Sequence, residues 1–154
     1  MIKKVRIAIL GFGNVGKAFA KLLTEKQGEI FDKFNLKVDV AAISTKSKGC
    51  LVNENGIDLT RALNDLEDFN HFDENSGDYR DMNSMEVAEN VDYDILFELT
   101  PLQIFSGQPA IDHIKAALNR KKDDLLKIEE KYAELLLVMN DDKNIIDLIS
   151  EKDF

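Results

Sequence analysis

The sequence has one cysteine, Cys50, two histidines and no tryptophan among its 154 residues. A single cysteine excludes an internal disulfide framework and is typical of a protein in a reducing compartment. The histidines, His71 and His113, are 42 positions apart, and with one cysteine they match none of the ligand spacings typical of a metal site. We therefore predict a cytoplasmic protein without a metal site.

Long hydrophobic runs are also missing. The apolar run at residues 5–10 is six residues long and no small-residue cleavage site follows it, so it is too short for a signal peptide or a membrane span. Hydrophobic residues nevertheless make up 44% of the chain. This content is sufficient for one ordinary core in a chain of this length. We predict a soluble protein with no membrane partner.

Positive charge is scarce beyond the first part of the chain, and the formal net charge is -9. Residues 1–57 carry ten Lys and Arg against five Asp and Glu, whereas residues 58–98 carry two against thirteen. A nucleic-acid surface needs clustered basic residues, so this distribution argues against a nucleic-acid partner. We interpret the acidic middle segment as a solvated face.

A glycine-rich turn follows the first apolar run. Residues 5–10 have the length and β-branched content of a buried strand, and the chain then reads G-F-G-N-V-G from Gly11 to Gly16. In the G-x-G-x-x-G pattern, Gly11 allows a tight turn, Gly13 lets a pyrophosphate approach the main chain, and Gly16 lets the next helix pack closely. Free amides at the helix start would bind the phosphates. The pattern predicts a dinucleotide site, with a purely structural turn as the alternative.

A second strand and its exit loop indicate the kind of cofactor. Helical spacing predicts a helix from Gly16 to about Phe31, in which Gly28 ends or weakens the last turn, and residues 36–44 then read as a buried strand. An NAD site typically has Asp or Glu at the end of this strand to bind the adenosine ribose. This chain instead reads Ser44-Thr45-Lys46-Ser47-Lys48-Gly49. Hydroxyl and ammonium groups suit a 2′-phosphate, so we favour NADP over NAD, the alternative being an exposed loop whose lysines face water.

The rest of the first 100 residues completes the sheet. Short helices are predicted at 58–64 and 84–89, and residues 92–99 read as a third central strand that leaves through Thr100-Pro101. This exit would lie at the carboxyl edge of the sheet, where ligands bind in open α/β folds. The pattern predicts an α/β fold, a Rossmann-like parallel sheet flanked by helices.

A further helix is predicted after this strand. Ser106 or Gly107 would cap it, with Pro109 in its first turn. His113 lies beside the predicted buried stripe, and because no cysteine or acid is placed to make it a metal ligand or a triad member, we interpret it as a structural or exposed histidine. The apolar residues of that stripe are Ile111, Ile114 and Leu118.

Several ordered motifs together carry a family resemblance. They are residues 5–20, the strand end and loop at 42–49, Asn55-Gly56-Ile57-Asp58, the run Phe97-Glu98-Leu99-Thr100-Pro101, and residues 107–118. In this order they resemble the amino-terminal half of homoserine dehydrogenases, over residues 2 to about 119. The resemblance implies the NAD(P)-binding domain of an oxidoreductase of amino-acid biosynthesis, which interconverts homoserine and aspartate semialdehyde.

The resemblance also implies site residues. Phe12, Asn14 and Val15 would contact the pyrophosphate and nearby cofactor atoms, and Lys46 or Lys48 would contact a 2′-phosphate. Thr100 and Pro101 would lie near the nicotinamide, although a threonine before a proline at a strand end is equally a plain turn and cap. The full predicted set is Gly11, Phe12, Gly13, Asn14, Val15, Gly16, Ser44, Lys46, Lys48, Thr100 and Pro101.

The chain departs from the family after Asn119. Homoserine dehydrogenases would continue through a glycine and another apolar strand to a Thr-Ala-Asn-Lys-Gly-Pro motif and a substrate domain with the catalytic Asp and Lys. Here residues 120–154 have helical spacing instead. We therefore predict a Rossmann-type domain at 1–119, a helical tail at 120–154 packed on it, no catalytic residues, and no turnover by this chain alone.

The sequence is compatible with two functions. The first is a truncated or rearranged homoserine dehydrogenase whose cofactor domain still binds the nicotinamide dinucleotide. The second is a non-enzymatic nucleotide-sensing or assembly module that forms a homo-oligomer through the helical tail. The sequence favours the first, because its best motifs match an enzyme family.

Overall fold

A computed structural model describes residues 2–120 of the chain. The predictions for the tail, including the boundary at 119, its helices and its role in a homo-oligomer, lie outside these residues apart from Arg120 and stay predictions. The elements are β1 (Lys3–Leu10), α1 (Asn14–Phe34), β2 (Leu36–Ser44), β3 (Cys50–Val52), α2 (Leu59–Asp68), β4 (Tyr79–Arg80), α3 (Ser84–Asn90), β5 (Ile95–Glu98) and α4 (Ala110–Arg120).

The strands form one sheet in the order β4-β3-β2-β1-β5. The central strand β1 runs parallel to both β2 and β5, while β3 and β4 extend the sheet in antiparallel fashion beyond β2. The predicted α/β, Rossmann-like class is confirmed. The antiparallel strands β3 and β4 were missed, because strands of three and two residues are too short to show a hydrophobic period.

The central strand has a hydrophobic core on each face. Ile7 and Ile9 belong to the core that includes residues of α1 and α2, whereas Ala8 and Leu10 belong to the core that includes residues of α3 and α4. Successive strand residues point to opposite faces, so alternate positions of β1 meet different helices. A strand apolar on both faces is the form expected between helical layers.

The long helix α1 passes through Gly28, which was expected to end the helix or weaken its last turn. Gly28 lies in its interior, and the helix ends only at Phe34, where Asn35 adopts a left-handed conformation with φ 51°. The Asn35 N–H donates to the carbonyl of Phe31 at 2.8 Å. One interior glycine costs about 1 kcal/mol relative to alanine. Leu23 and Ile30 pack into the core on either side of Gly28, and this packing outweighs that cost.

The two short predicted helices are confirmed, and each begins at a capping side chain. Asp58 precedes α2 and accepts a hydrogen bond from the Arg61 N–H at 3.1 Å. Asn83 precedes α3 and forms a reciprocal capping box with Glu86, with distances of 3.0 and 2.8 Å. Such caps satisfy amides that have no partner within the helix.

The predicted orientation of α4 was wrong. The helix buries His113, which is 4% exposed, and turns outward the residues that were expected to be buried. Ala116 and Ala117 pack against the core beside it. The small side chains share the His113 face and let the helix lie close to the sheet, so residue size rather than hydrophobicity decided the orientation. The outward residues are Ile111, Ile114 and Leu118, which are 40%, 46% and 60% exposed.

Within residues 2–120, none of the helices combines the length and the apolar character that crossing a membrane requires.

Candidate dinucleotide site

The fold brings the three predicted parts of the site to one edge of the sheet. Leu10, the last residue of β1, pairs with Ser44 of β2 on one side and with Glu98 of β5 on the other. The Gly11 N–H donates to the Ser44 carbonyl at 2.8 Å. Three segments therefore leave the sheet at adjacent carboxyl ends: the glycine turn, the loop after β2 and the Thr100-Pro101 segment. The sheet continues from β1 to β2 on one side and to β5 on the other, and ligands bind at such a point in open α/β sheets.

Two of the three motif glycines are required by the protein itself. Gly11 has φ +89°, and a Cβ at this position would lie 2.5 Å from the carbonyl carbon of Leu99. A Cβ on Gly16 would lie 2.8 Å from the Gly11 carbonyl oxygen and 3.1 Å from the Phe12 ring. The distances of 2.5 and 2.8 Å are too short for real Cβ contacts, and 3.1 Å is tighter than most. Gly11 thus allows close approach to the exit of β5, and Gly16 allows α1 to pack on the turn.

The third motif glycine has no such reason within the protein. A Cβ on Gly13 would have no described heavy atom within 4 Å, and its φ of -80° is open to any residue. Gly13 is also the N-cap of α1, without a side-chain cap, and the first turn of the helix carries no acidic residue. First-turn amides have no partner within the helix and attract anions. The open space beside Gly13 therefore lies where a phosphate would be bound.

The side chains around the turn divide into buried and exposed ones. Asn14 and Val15, in the first turn of α1, are exposed. Phe12 is buried, and its ring packs against Phe72 with a centroid distance of 6.1 Å. Phe12 can therefore contribute only its main chain to a ligand in this structure, while Asn14 and Val15 present their side chains.

The loop after β2 is ordered by its own hydrogen bonds. The Thr45 hydroxyl accepts from the Lys48 N–H at 2.8 Å and donates to the Gly49 carbonyl at 2.9 Å. Lys46 is exposed at the tip of the loop, whereas the Lys48 ammonium donates to Asn70 at 2.6 Å. Lys46 is thus the more accessible of the two predicted phosphate-binding lysines.

Ser44 is placed differently from its predicted role. Its side chain is fully buried, and its hydroxyl lies 3.0 Å from the Ser84 hydroxyl. A buried hydroxyl that already has a partner does not face a ligand. Ser44 instead supports the site through its carbonyl, which accepts the Gly11 N–H.

A hydrogen-bonded group that the sequence did not reveal lies beside Thr100. The Glu98 carboxylate accepts the Thr100 N–H at 2.9 Å and the Thr100 hydroxyl on the same oxygen, Oε1. Its other oxygen, Oε2, lies 2.5 Å from Nδ1 of His113. Sequence spacing did not show that an acid accompanies His113, because Glu98 lies fifteen residues away and only the packing of α4 brings the two side chains together.

Other surface features of the described residues lie away from this edge. A groove of about 430 Å³ runs along α1 and is lined by none of the predicted cofactor residues. Across residues 2–120, no three metal-ligating side chains converge on a common point.

Strand ends and an uncapped helix start arranged around a glycine turn are typical of a dinucleotide-binding domain. The family described as Glutamate/Leucine/Phenylalanine/Valine dehydrogenase matches residues 1–100 of the chain. The chain belongs to this family of dehydrogenases.

The individual relatives that match this domain are homoserine dehydrogenases, the family that the sequence motifs resemble. Homoserine dehydrogenase of Methanocaldococcus jannaschii is 34% identical over 116 residues, which are 75% of this chain and 34% of that protein. A hyperthermophilic archaeal homoserine dehydrogenase mutant in complex with NADPH is 32% identical with a TM-score of 0.58, over 75% of this chain and 33% of its own. A hyperthermophilic archaeal homoserine dehydrogenase in complex with NADPH is 25% identical with a TM-score of 0.58, and the match covers 83% of this chain and 41% of that chain.

These matches confirm the resemblance over the amino-terminal part of the chain. The chain contains an NAD(P)-binding domain of the homoserine dehydrogenase type and spans about a third of the length of the relatives it matches.

Proposed function

We propose that this domain binds NADP(H) at the carboxyl edge of β1, β2 and β5, and that it is the cofactor half of a homoserine dehydrogenase. The observation that carries the proposal is the contrast among the motif glycines. Packing explains Gly11 and Gly16, whereas Gly13 faces open space at an uncapped helix start. A ligand that approaches the main chain explains why a glycine is present at that position.

The pyrophosphate is proposed to lie against the turn from Gly11 to Gly16. The main-chain amides of Phe12 and Gly13 and the first turn of α1 supply donors, and the positive end of the helix dipole favours the negative charge. The exposed side chains of Asn14 and Val15 border the same space.

The adenosine ribose is proposed to lie beside the loop from Thr45 to Gly49. Ser44 ends β2 next to the glycine turn, and the loop that follows contains Lys46 and Lys48 but no carboxylate. An ammonium group attracts a 2′-phosphate, whereas a ribose diol is normally held by an acid at this place. We therefore favour NADP(H), with Lys46 as the principal contact. The NADPH complexes of the archaeal relatives agree with this preference.

The nicotinamide is proposed to lie beside Thr100 and Pro101. The Thr100 nitrogen lies only 2.7 Å from the position that a Cβ on Gly11 would take. Gly11 also donates to the Ser44 carbonyl, so the exit of β5 and the ribose loop lie on opposite sides of the turn. The nicotinamide supplies the hydride transfer when it is bound. Residues 2–120 hold no arrangement that we assign to substrate chemistry, so we propose that conversion of homoserine to aspartate semialdehyde depends on groups outside these residues.

Titration of the full chain with NADPH, followed by cofactor fluorescence, tests the proposal. We expect saturable binding in the micromolar range, weaker binding of NADH, and no oxidation of homoserine in the presence of NADP⁺. A Gly13→Ala variant that folds normally is expected to lose most of this affinity. Absence of any fluorescence change with the folded wild-type chain would exclude the proposed function.

A further inference from the structure

The Thr100-Pro101 segment offers no hydrogen-bond donor to the cofactor cleft. The Thr100 N–H and the Thr100 hydroxyl both donate to Oε1 of Glu98. Pro101 has no N–H at all. Only acceptors remain on this segment, namely the lone pairs of the Thr100 hydroxyl and the carbonyl oxygens.

Glu98 is kept in position by a second contact on its other side. Its Oε2 lies 2.5 Å from His113 Nδ1, and the two side chains are 11% and 5% exposed. A carboxylate accepts hydrogen bonds and donates none, so both Thr100 donors stay committed to it. His113 fixes the orientation of Glu98, because α4 is packed on the sheet through the face that carries this histidine.

Stability alone does not account for such a group. A buried charged pair is often no more stabilising than well-packed apolar residues of similar volume, because removing the charges from water is costly. What the pair does provide is a defined direction for the Thr100 hydroxyl proton. Without Glu98 the hydroxyl could rotate and act as donor or acceptor, whereas with Glu98 it acts toward a ligand only as an acceptor.

We propose that Glu98 and His113 are positioning residues that make the Thr100-Pro101 segment an acceptor-only surface for the amino group of the nicotinamide carboxamide. The inference rests on the proposed function, which places the nicotinamide at this segment. The carboxamide has an NH₂ that donates and a carbonyl that accepts, and an acceptor-only surface selects the NH₂. Carboxylates and phosphates, which only accept, are disfavoured at the same place.

Cofactor analogues that differ only at the carboxamide test this inference in the full chain by calorimetry. The 3-acetylpyridine analogue of NADP⁺ replaces the NH₂ by a methyl group, whereas the thionicotinamide analogue keeps the NH₂ and replaces the oxygen. We expect the acetylpyridine analogue to bind about 3- to 10-fold more weakly than NADP⁺, the range of one net hydrogen bond. The thionicotinamide analogue is expected to bind within about twofold of NADP⁺, because it makes the same hydrogen bond.

Variants separate the positioning role from a merely structural one. Thr100→Val removes the hydroxyl acceptor and is expected to reduce the discrimination between NADP⁺ and the acetylpyridine analogue, whereas Thr100→Ser keeps it in full. Glu98→Leu frees the Thr100 donors and is expected to remove the discrimination. Glu98→Gln is expected to retain it, because the amide oxygen still accepts from Thr100 while the amide NH₂ faces His113. If Glu98→Leu does not fold, the two Thr100 variants decide.

The control ligand is 2′-phospho-ADP-ribose, which has no pyridine ring. Its affinity is expected to be the same for the wild-type chain and the Thr100 variants. Equal affinity of the wild-type chain for NADP⁺ and the acetylpyridine analogue would overturn the inference and leave the proposed function standing. Failure of both NADP⁺ and 2′-phospho-ADP-ribose to bind would overturn the proposed function and the inference with it.

Discussion

The main chain of Gly11 lies so close to Thr100 that a Cβ at position 11 would come within 2.7 Å of the Thr100 nitrogen. Gly11 also donates to the Ser44 carbonyl, so one residue joins the exits of β1, β2 and β5. A shift of the main chain at Gly11 would therefore move both the proposed ribose end and the proposed nicotinamide end of the site.

Gly11 and Gly13 predict different responses to alanine. Gly11→Ala forces a side chain into a left-handed conformation against main-chain atoms that cannot move aside cheaply, so we expect a loss of roughly 1–3 kcal/mol in the free energy of unfolding. Gly13→Ala is expected to change that free energy by less than about 0.5 kcal/mol and to weaken NADPH binding at least about tenfold. Urea unfolding and NADPH titration of each variant measure the two effects.

Gly28 provides the matched control for these variants. It lies inside α1 with no described atom within 4 Å of its Cβ position, so Gly28→Ala should stabilise the helix by about 0.5–1 kcal/mol and leave NADPH affinity unchanged. A Gly13→Ala variant that binds NADPH as tightly as the wild-type chain would contradict the assignment of the phosphate site to the start of α1.

The parts of this fold that depend on neighbouring residues in the sequence could be predicted from the sequence. The parallel strands β1, β2 and β5 and the helices after the turn could be located from apolar period, capping residues and the glycine spacing. The antiparallel pair of β3 and β4 could not, because each is too short for a period and is held by pairing with a distant segment. Strand pairing of that kind is decided by tertiary context.

The site shows the same division between local and distant causes. The positions of the turn and of Thr100 follow from strand ends, which local sequence reveals. The burial of Ser44 against Ser84 and the approach of His113 to Glu98 depend on how α3 and α4 pack, at separations of 40 and 15 residues. The outward side of α4 was also missed, because apolar spacing alone does not distinguish a face of small residues from a face of large ones.

Lys46 is expected to decide between the two nicotinamide dinucleotides. Because its ammonium is exposed at the loop after β2, Lys46→Ala should weaken NADPH binding and leave NADH binding nearly unchanged. The expected loss is roughly 10- to 150-fold, the range for one hydrogen bond to a charged group. Lys48→Ala is expected to affect both dinucleotides, since it also removes the contact to Asn70. Parallel titrations with NADPH and NADH give the ratio for each variant.

Lys33→Ala is the charge-matched control for the lysine variants. Lys33 lies in the last turn of α1, about 28 Å along the helix axis from its start, and pairs with Glu29. We expect its removal to leave the NADPH to NADH ratio unchanged. If Lys33→Ala lowers the ratio as much as Lys46→Ala does, net charge rather than a local contact sets the preference.

The capping box before α3 makes a prediction about stability that is independent of cofactor binding. Asn83→Ala removes the side chain that accepts from the Glu86 N–H and should cost about 1 kcal/mol in the free energy of unfolding. Asn83→Ser keeps an accepting oxygen and should cost only a few tenths of a kcal/mol. Chemical unfolding of the two variants measures the difference, and equal stability would mean that the cap contributes nothing to α3.

Cys50 is buried in the sheet, and its burial predicts how the thiol reacts at alkaline pH. Burial raises the pKa of the Cys50 thiol from its ordinary value near 9 to about 11. At pH 8 the folded chain is therefore expected to react very slowly with an aromatic disulfide reagent, because the thiolate is scarce and the sulfur is inaccessible. Unfolding in urea should make the same thiol react rapidly. Rapid labelling of the folded chain would contradict the burial of β3 in the sheet.

The same pKa shift fixes the sign of the stability change with pH. Above pH 9 the unfolded chain releases the thiol proton while the folded chain retains it until about pH 11, so the stability contributed by the neutral thiol is complete below pH 9 and is lost as pH rises to 11. Tyr79, whose pKa burial also raises, contributes in the same direction. Comparison with Cys50→Ala isolates the cysteine, since the decline between pH 9 and 11 should be shallower in that variant. An identical decline in both chains would show that Cys50 does not control alkaline unfolding.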